Sequence, residues 1–275
     1  MTTDDALARR CAELPLGAAS ILSARTLASD YPALARELRP GLRLLDVGCG
    51  TGAMTLGMAQ AVFPAQVIGL DMGAALLDQA RARGAAQPNL SANLRFVEAD
   101  LYDLPYGAEF DVVVAARVLQ WLGEPLRAVR ELSRVLRPGG RLFVLDYQHF
   151  QAQMVPPVPP SVAHFRARFL AWRAAAGLPN APADELESWL HAAGLHAVQS
   201  EPQLETARRG APDFGRRIAV WGTVIASRGH QVVAAGHLSE AERALAEQEF
   251  SVWAQERAES QVLALRSASG MKGGG

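Results

Sequence analysis

Cysteine occurs only at Cys11 and Cys49 in the 275 residues. Two cysteines exclude a disulfide framework, and a zinc site would have to draw its ligands from other residue types. The histidines His164, His191, His196, His230 and His237 show no metal-ligand spacing, so no metal is expected. Lysine is rarer still. It stands only at Lys272, so arginine carries nearly all the positive charge, a bias of composition and not a binding signature. A surplus of either sign is also missing, with a formal net charge of −1 and a pI near 6.6. Such a chain lacks the basic surface that neutralises phosphates, which argues against nucleic acid as its main partner. The longest apolar runs fall short of a membrane span. The opening Met1-Thr2-Thr3-Asp4-Asp5 has no basic region leading into an apolar one. Neither a membrane nor secretion is expected, and a reducing, cytoplasmic location follows.

What the chain does have is apolar material, 49% of its residues, enough for an ample core. Its organising stretch is Leu44-Leu45-Asp46-Val47-Gly48-Cys49-Gly50-Thr51-Gly52. An apolar run enters a glycine cluster, and Met54, Leu56, Met58 and Ala59 follow at helical spacing. That is a strand, a tight turn and a helix start. Glycines there remove Cβ atoms where a ligand must lie against the backbone, and the free N–H groups of the helix start point toward it. The spacing Gly48-x-Gly50-x-x-Ala53 also meets the loose dinucleotide fingerprint, so the glycines alone leave a nicotinamide-dinucleotide oxidoreductase open. Asp46 separates the two. It sits two residues before the first glycine, where a carboxylate repels a pyrophosphate and attracts a cation. S-adenosylmethionine, with an ammonium and a sulfonium, is the ligand that fits.

From residue 43 the chain alternates strand and helix patterns. Strands are expected at Arg43–Val47, Val67–Asp71, Leu94–Glu98, Asp111–Ala115 and Arg141–Tyr147, with helices over 52–62, 73–84 and 124–136. Runs such as Val112-Val113-Val114-Ala115 suit strands buried on both faces. The fold class is therefore α/β, a doubly wound, Rossmann-like, mostly parallel sheet with ligands at the carboxyl ends of its strands. Leu136-Arg137-Pro138-Gly139-Gly140 reads as a helix stop and turn. One helix is expected from Leu22 to Leu38, after a loosely structured 1–20. Beyond the stiff Val155-Pro156-Pro157-Val158-Pro159-Pro160, helices are expected over 161–176, 182–194, 213–229 and 239–257, with strands at Leu195–Ser200 and Gln261–Leu265. The division is an N-terminal helical segment (1–40), a cofactor-binding core (41–147) and the rest of the same domain (148–275). Helical insertions over about 161–178 and 212–258 cover the open end of the sheet.

Asp71 ends the second strand, where a carboxylate can accept from two ribose hydroxyls or cap the following helix. Met72 beside it can pack on an adenine face. Asp100 follows the third strand. There it can accept from the adenine amino group while the Leu101 N–H donates to the ring, or it can serve as a turn residue. In order and after these strands, Asp46, Gly48, Cys49, Gly50, Gly52, Asp71, Met72, Asp100 and Leu101 resemble the cofactor site of class I S-adenosylmethionine-dependent methyltransferases, with motif I at the glycine turn. The loop Ala116-Arg117-Val118-Leu119-Gln120-Trp121 is similar to that of small-molecule methyltransferases of the quinone-biosynthesis type, which often carry His or Asn where Arg117 stands. The resemblance implies a methyltransferase that turns S-adenosylmethionine into S-adenosylhomocysteine and acts on a small organic acceptor. It places Asp46 near the methionyl end, gives Arg25 the cofactor's carboxylate (a solvated helix face being the alternative) and counts Arg117 among the cofactor-binding residues. A module that binds the cofactor without turnover stays open, because no base is obvious.

Methyl transfer from a sulfonium is an in-line displacement that gains mostly from alignment and water exclusion, with a base needed when the acceptor is a hydroxyl. Asp146, Tyr147 and His149 lie at the open end of the sheet as candidates, His149 being either a base or a core-satisfied histidine. Phe165, Phe169, Trp172, Phe214, Ile218, Trp221 and Ile225 recur at helical spacing. They suit core packing and also the wall of an apolar acceptor pocket beneath the insertion. Arg208, Arg209, Arg216 and Arg217 form a basic patch that could meet an anionic acceptor or simply be solvated.

Overall fold

The computed structural model describes residues 19–274 together with Ala8, Glu13 and Pro15. Most of the 1–20 segment, expected to be weakly structured or loosely helical, therefore lies outside the described residues. Seven strands form one sheet in the order β3-β2-β1-β4-β5-β7-β6. They are β1 (Leu44–Val47), β2 (Val67–Asp71), β3 (Leu94–Glu98), β4 (Phe110–Ala116), β5 (Leu136–Val155), β6 (Leu195–Arg208) and β7 (Ser260–Lys272). β1 to β5 pair in parallel, and β7 is inserted antiparallel between β5 and β6. Chain order reverses between β1 and β4, the crevice where open α/β sheets bind ligands.

Both faces of the central strands are buried, as the uninterrupted apolar runs imply. Leu44, Val112, Val114, Phe143 and Leu145 face one core, shared with Met58, Ala59 and Val62 of the helix Ala53–Val62. Leu45, Val47, Val113, Ala115, Leu142 and Val144 face the other, against Ala128, Val129 and Leu132 of the helix Pro125–Arg134. Each such Leu, Val, Phe or Met side chain contributes about 1.5–3 kcal/mol by leaving water. The alternation also sets Asp46 on the face of Leu44, toward the helix that carries Thr55.

Three expectations change. The helix from Leu22 to Leu38 is three short helices, Ala19–Ser23, Leu27–Asp30 and Pro32–Glu37. Thr26 caps the second through its side chain, and Pro32 drives Tyr31 out of helical geometry (φ −151°). The Pro138-Gly139-Gly140 turn is a bulge inside β5, whose register against β4 jumps between Phe110–Leu136 and Val112–Arg141. The last three strands run well past their expected ends, because β7 pairs with both β5 and β6 beyond the parallel sheet. β6 admits Pro202 because it is an edge strand.

The helices Pro160–Ala175 and Phe214–Ser227 stand over the carboxyl end of the sheet and bring Phe169 and Trp221 edge to face, 5.9 Å between centroids. Among the described residues no helix is long and apolar enough to cross a membrane, and no cluster of side chains could hold a metal.

Candidate active site

At the end of β1, Gly48, Gly50 and Gly52 all have positive φ (74°, 54° and 71°), a backbone form that side chains disfavour. Space is short as well. A Cβ on Gly48 would lie 2.4 Å from Val118 Cγ2, and one on Gly50 2.9 Å from Leu22 Cδ1. The glycine surface is thus lined partly by the protein's own Leu22 and Val118. Asp71 ties the turn to β2, its two oxygens accepting from the N–H groups of Gly50 and Gly73, each at 2.8 Å. Capping and ligand binding are compatible here, since each carboxylate oxygen keeps a further lone pair. Cys49 is a packing residue whose Sγ lies against Gly69, and burial raises its thiol pKa far above the ordinary range.

Asp46 lies beneath the turn, 2% exposed, its Oδ2 accepting from Thr55 Oγ1 at 2.6 Å. Burial, with a smaller push from the Asp71 charge, raises its carboxyl to about 6. Asp100 Oδ1 accepts from the Tyr102 N–H at 2.9 Å, a turn contact. The Leu101 side chain is buried in the core, and Met72 is half exposed beside Asp71. Carboxylates at the ends of β1, β2 and β3 around a turn that tolerates no Cβ fit a cation with ribose hydroxyls and suit a diphosphate poorly.

A cleft with about 850 Å³ of empty space, part of it open to solvent, lies beside this turn under the two lid helices. Leu22 lines it and also touches the glycine turn. Trp121, Phe169 and Trp221 supply apolar walls, and Arg25, Arg117, Tyr147 and His149 supply polar ones. Arg25 donates to the Tyr147 hydroxyl at 3.3 Å. Tyr147 donates to Glu205 Oε2 at 3.2 Å. Arg117, in the loop after β4 with φ +64°, is buried against Glu205 and donates to the Asp30 carbonyl at 2.8 Å. Burial raises the Tyr147 phenol to about 12, so it stays protonated.

The side chains named from sequence divide in two. Arg25, Arg117, Tyr147 and His149 come together in the cleft with Phe169 and Trp221. Asp146 does not line it: its oxygens accept from the N–H groups of Gln120 and Tyr147, at 3.0 and 2.9 Å, holding the post-β4 loop. Arg209 donates to the carbonyls of Ala254, Gln255 and Ala258, while Arg216 and Arg217 pair with Asp213. Phe165 and Trp172 are core. Glu205 and Gln120 were missed. No spacing signal marks a glutamate 88 residues away from its arginine.

The model of the family described as a methyltransferase domain matches residues 45–144. Trans-aconitate 2-methyltransferase of Deinococcus radiodurans is 42% identical over 117 residues, 42% of each chain. A demethylmenaquinone methyltransferase of Clavibacter sepedonicus is 31% identical over 200 residues, which cover 65% of this chain and 77% of that one. The chain belongs to the S-adenosylmethionine-dependent methyltransferase family. Membership sets aside the dinucleotide oxidoreductase. The fold of this chain is also that of the YcgJ protein of Bacillus subtilis, with a TM-score of 0.58 at 20% identity over 89% of this chain and 98% of that one. Against the first curated relatives the chain spans less than half of their length, 42%, 31% and 47%.

Proposed function

We propose that this protein transfers the methyl group of S-adenosylmethionine to a small organic acceptor bound in the cleft beneath the lid helices. The observation that carries this is one of contiguity. Leu22 packs on Gly50 and lines the cleft, and the loop that packs Val118 on Gly48 sends Arg117 and Trp121 into it. A molecule on the glycine turn therefore borders one in the cleft.

Asp71 and Asp100 hold the ribose and adenine, with Met72 and the Leu101 N–H beside them, and Asp46 favours the positive end from below. Arg25 is within reach of a carboxylate at the border of the two sites. When bound, the cofactor supplies an electrophilic methyl on a sulfonium. The chain aligns the acceptor between aromatic walls and excludes water, which is where most acceleration of such a displacement arises. A cytoplasmic location without a nucleic-acid or membrane partner belongs to this reading, supported by the near-neutral charge.

Calorimetry with S-adenosylhomocysteine tests the cofactor assignment. Binding to the wild type and its loss in Asp71→Ala are expected, whereas equal binding by both sinks the ribose role. A thermal shift with NAD but none with S-adenosylhomocysteine overturns the reading as a whole. Isotope-labelled S-adenosylmethionine incubated with a metabolite extract should give labelled product. Cofactor binding without any such product would make the protein a binding module.

A further inference from the structure

The cleft carries a bias of charge and an oriented imidazole that together select an acceptor. Three arginines line it, Arg25, Arg117 and Arg228, and no aspartate or glutamate does among the described residues. Glu205 pairs with Arg117 from outside the lining and acts with Asp30 on Arg25 as well, so two carboxylates stand behind these arginines, while the hydrogen bond of Arg25 among the described residues goes to a neutral phenol. Two donors on lining side chains, Nη1 of Arg117 and Nε1 of Trp221, are buried and have no partner among the described residues, both side chains belonging to residues 5% exposed. A site lined by arginines and by no carboxylate disfavours an ammonium and favours an oxygen acceptor.

His149 lines the same cleft, stacked on Tyr147 at 5.2 Å. Its Nε2 lies 2.9 Å from Gln120 Oε1, and Gln120 Nε2 donates to the Arg117 carbonyl at 3.2 Å. That second bond fixes the amide so that its oxygen faces the ring. Nε2 must then carry the proton, and Nδ1 keeps its lone pair. Nδ1 makes no hydrogen bond among the described residues.

We propose, building on the methyltransferase reading, that the acceptor is an acidic hydroxyl, phenolic or enolic, on a flat apolar frame, and that His149 Nδ1 takes its proton as the oxygen is methylated. The O–H bond breaks with its proton going to Nδ1. An oxygen lone pair forms the new O–CH₃ bond, and the electron pair of the broken C–S bond stays on sulfur. The positive charge passes from sulfur to the imidazolium, which then donates from both nitrogens.

The acidity requirement follows from the surroundings of the imidazole. Arg166 and Arg173 face it from the lid helix, Arg117 and Gln120 from the post-β4 loop, and Arg228 and Arg25 across the cleft, with Tyr147 and Asp146 on its own strand. Burial first, then Arg173 and Arg166, lowers its pKa well below 6.5. Proton transfer from a phenol near pKa 10 is then uphill by at least three to four powers of ten, a gap that arginines beside the developing oxyanion narrow. An aliphatic alcohol, about as weak an acid as water near 15.7, faces more than nine powers of ten.

Naphthol, naphthylmethanol, naphthylamine and naphthoate present one flat frame with four head groups. Their binding to the full chain loaded with S-adenosylhomocysteine, read by tryptophan fluorescence, and their methylation with S-adenosylmethionine, read by mass spectrometry, test the proposal. Naphthol should bind tighter than the amine and be the preferred methyl acceptor, giving a methyl ether. His149→Asn should lower kcat about 100-fold or more with KM and S-adenosylhomocysteine binding unchanged. The wild-type rate should stay level down to pH 6.5 and fall only at lower pH, as the imidazole protonates. Methylation of the amine or the carboxylate in preference to naphthol, no binding of naphthol, or an unchanged kcat in the variant overturns the proposal. Intact S-adenosylhomocysteine binding in those cases leaves the cofactor assignment standing.

Discussion

Arg117 and Glu205 meet as a buried ion pair across 88 residues, Nε donating to Oε1 at 2.9 Å and Nη2 reaching the same oxygen. Burial alone would raise the Glu205 carboxyl, but Arg117 and Arg25 override it and hold the group below its ordinary range. On the other partner, burial works to lower the guanidinium, and Glu205 prevails to raise it. Both partners thus favour the charged pair.

Removing one partner leaves the other charged and buried. Glu205→Gln should destabilise the protein by about 3–5 kcal/mol in urea unfolding, far more than loss of an exposed pair. Tyr147 loses its acceptor in the same variant, so the wall that holds Arg25 and His149 loosens with it. The wild-type contribution has the usual acid sign. A depressed carboxyl adds stability above its unfolded pKa, and that stability is lost as the pH falls through the folded value. A Glu205→Gln protein as stable as wild type at neutral pH would show that the pair contributes nothing net.

Asp46 titrates with the opposite sign. Its pKa rises on folding from 3.8 to about 6, a cost of about 3 kcal/mol at neutral pH. The folded protein holds this proton more tightly than the unfolded chain, so the group's contribution worsens as pH rises from about 4 to 6 and is level above. Asp46→Asn keeps an acceptor for Thr55 and removes the charge. Without ligand it should be more stable than wild type at pH 7.5, by up to about 3 kcal/mol, with the advantage vanishing toward pH 4. Its affinity for S-adenosylhomocysteine should drop at least tenfold, since the ammonium loses its counter-charge. A variant that is both less stable and equally able to bind would mean that Asp46 serves only to hold Thr55.

The contrast between Asp46 and Glu205 shows what a linear chain reveals. Asp46 and Asp71 were legible because their places follow from local rules, an apolar strand, a glycine turn and a helix start. The parallel core came from the same alternation. Glu205 belongs to a part of β6 where no apolar pattern marks a strand, and only pairing with β7 makes one. Gln120 had no role of its own in the loop and in the fold sets its amide oxygen against the His149 ring. The broken N-terminal helix was readable in principle from Pro32 and Thr26, but the periodicity of its apolar residues hid the caps. Contacts between distant segments, which build the cleft, leave no periodic trace.

Trp221 separates packing from recognition. It lies edge to face on Phe169, and the Arg166 guanidinium stands 5.1 Å from its ring centre. Trp221→Ala would open a cavity costing about 3–5 kcal/mol, so a loss of activity there would be ambiguous. Trp221→Phe keeps an aromatic ring at this place and removes the Nε1 donor, which has no partner among the described residues, with part of the indole. Acceptor KM should rise roughly tenfold, the worth of one hydrogen bond, with kcat and S-adenosylhomocysteine affinity unchanged. Unchanged acceptor kinetics would show that the indole N–H faces no substrate oxygen.

Gly48 carries two constraints that mutation can pull apart. Its φ of +74° penalises any side chain, by about 1–2 kcal/mol in the left-handed region. The 2.4 Å approach of Val118 Cγ2 penalises bulk separately. Gly48→Ala should suffer both, losing stability and S-adenosylhomocysteine binding. Adding Val118→Ala relieves the second alone, because the isopropyl group that collides with the new Cβ is gone. The double variant should therefore recover part of the stability of the single one, a coupling that a thermodynamic cycle of melting and binding measurements reads directly. If the second change restores nothing, the backbone angle is the whole constraint; if it restores everything, the angle costs nothing and the glycine serves only to let the post-β4 loop close on the turn.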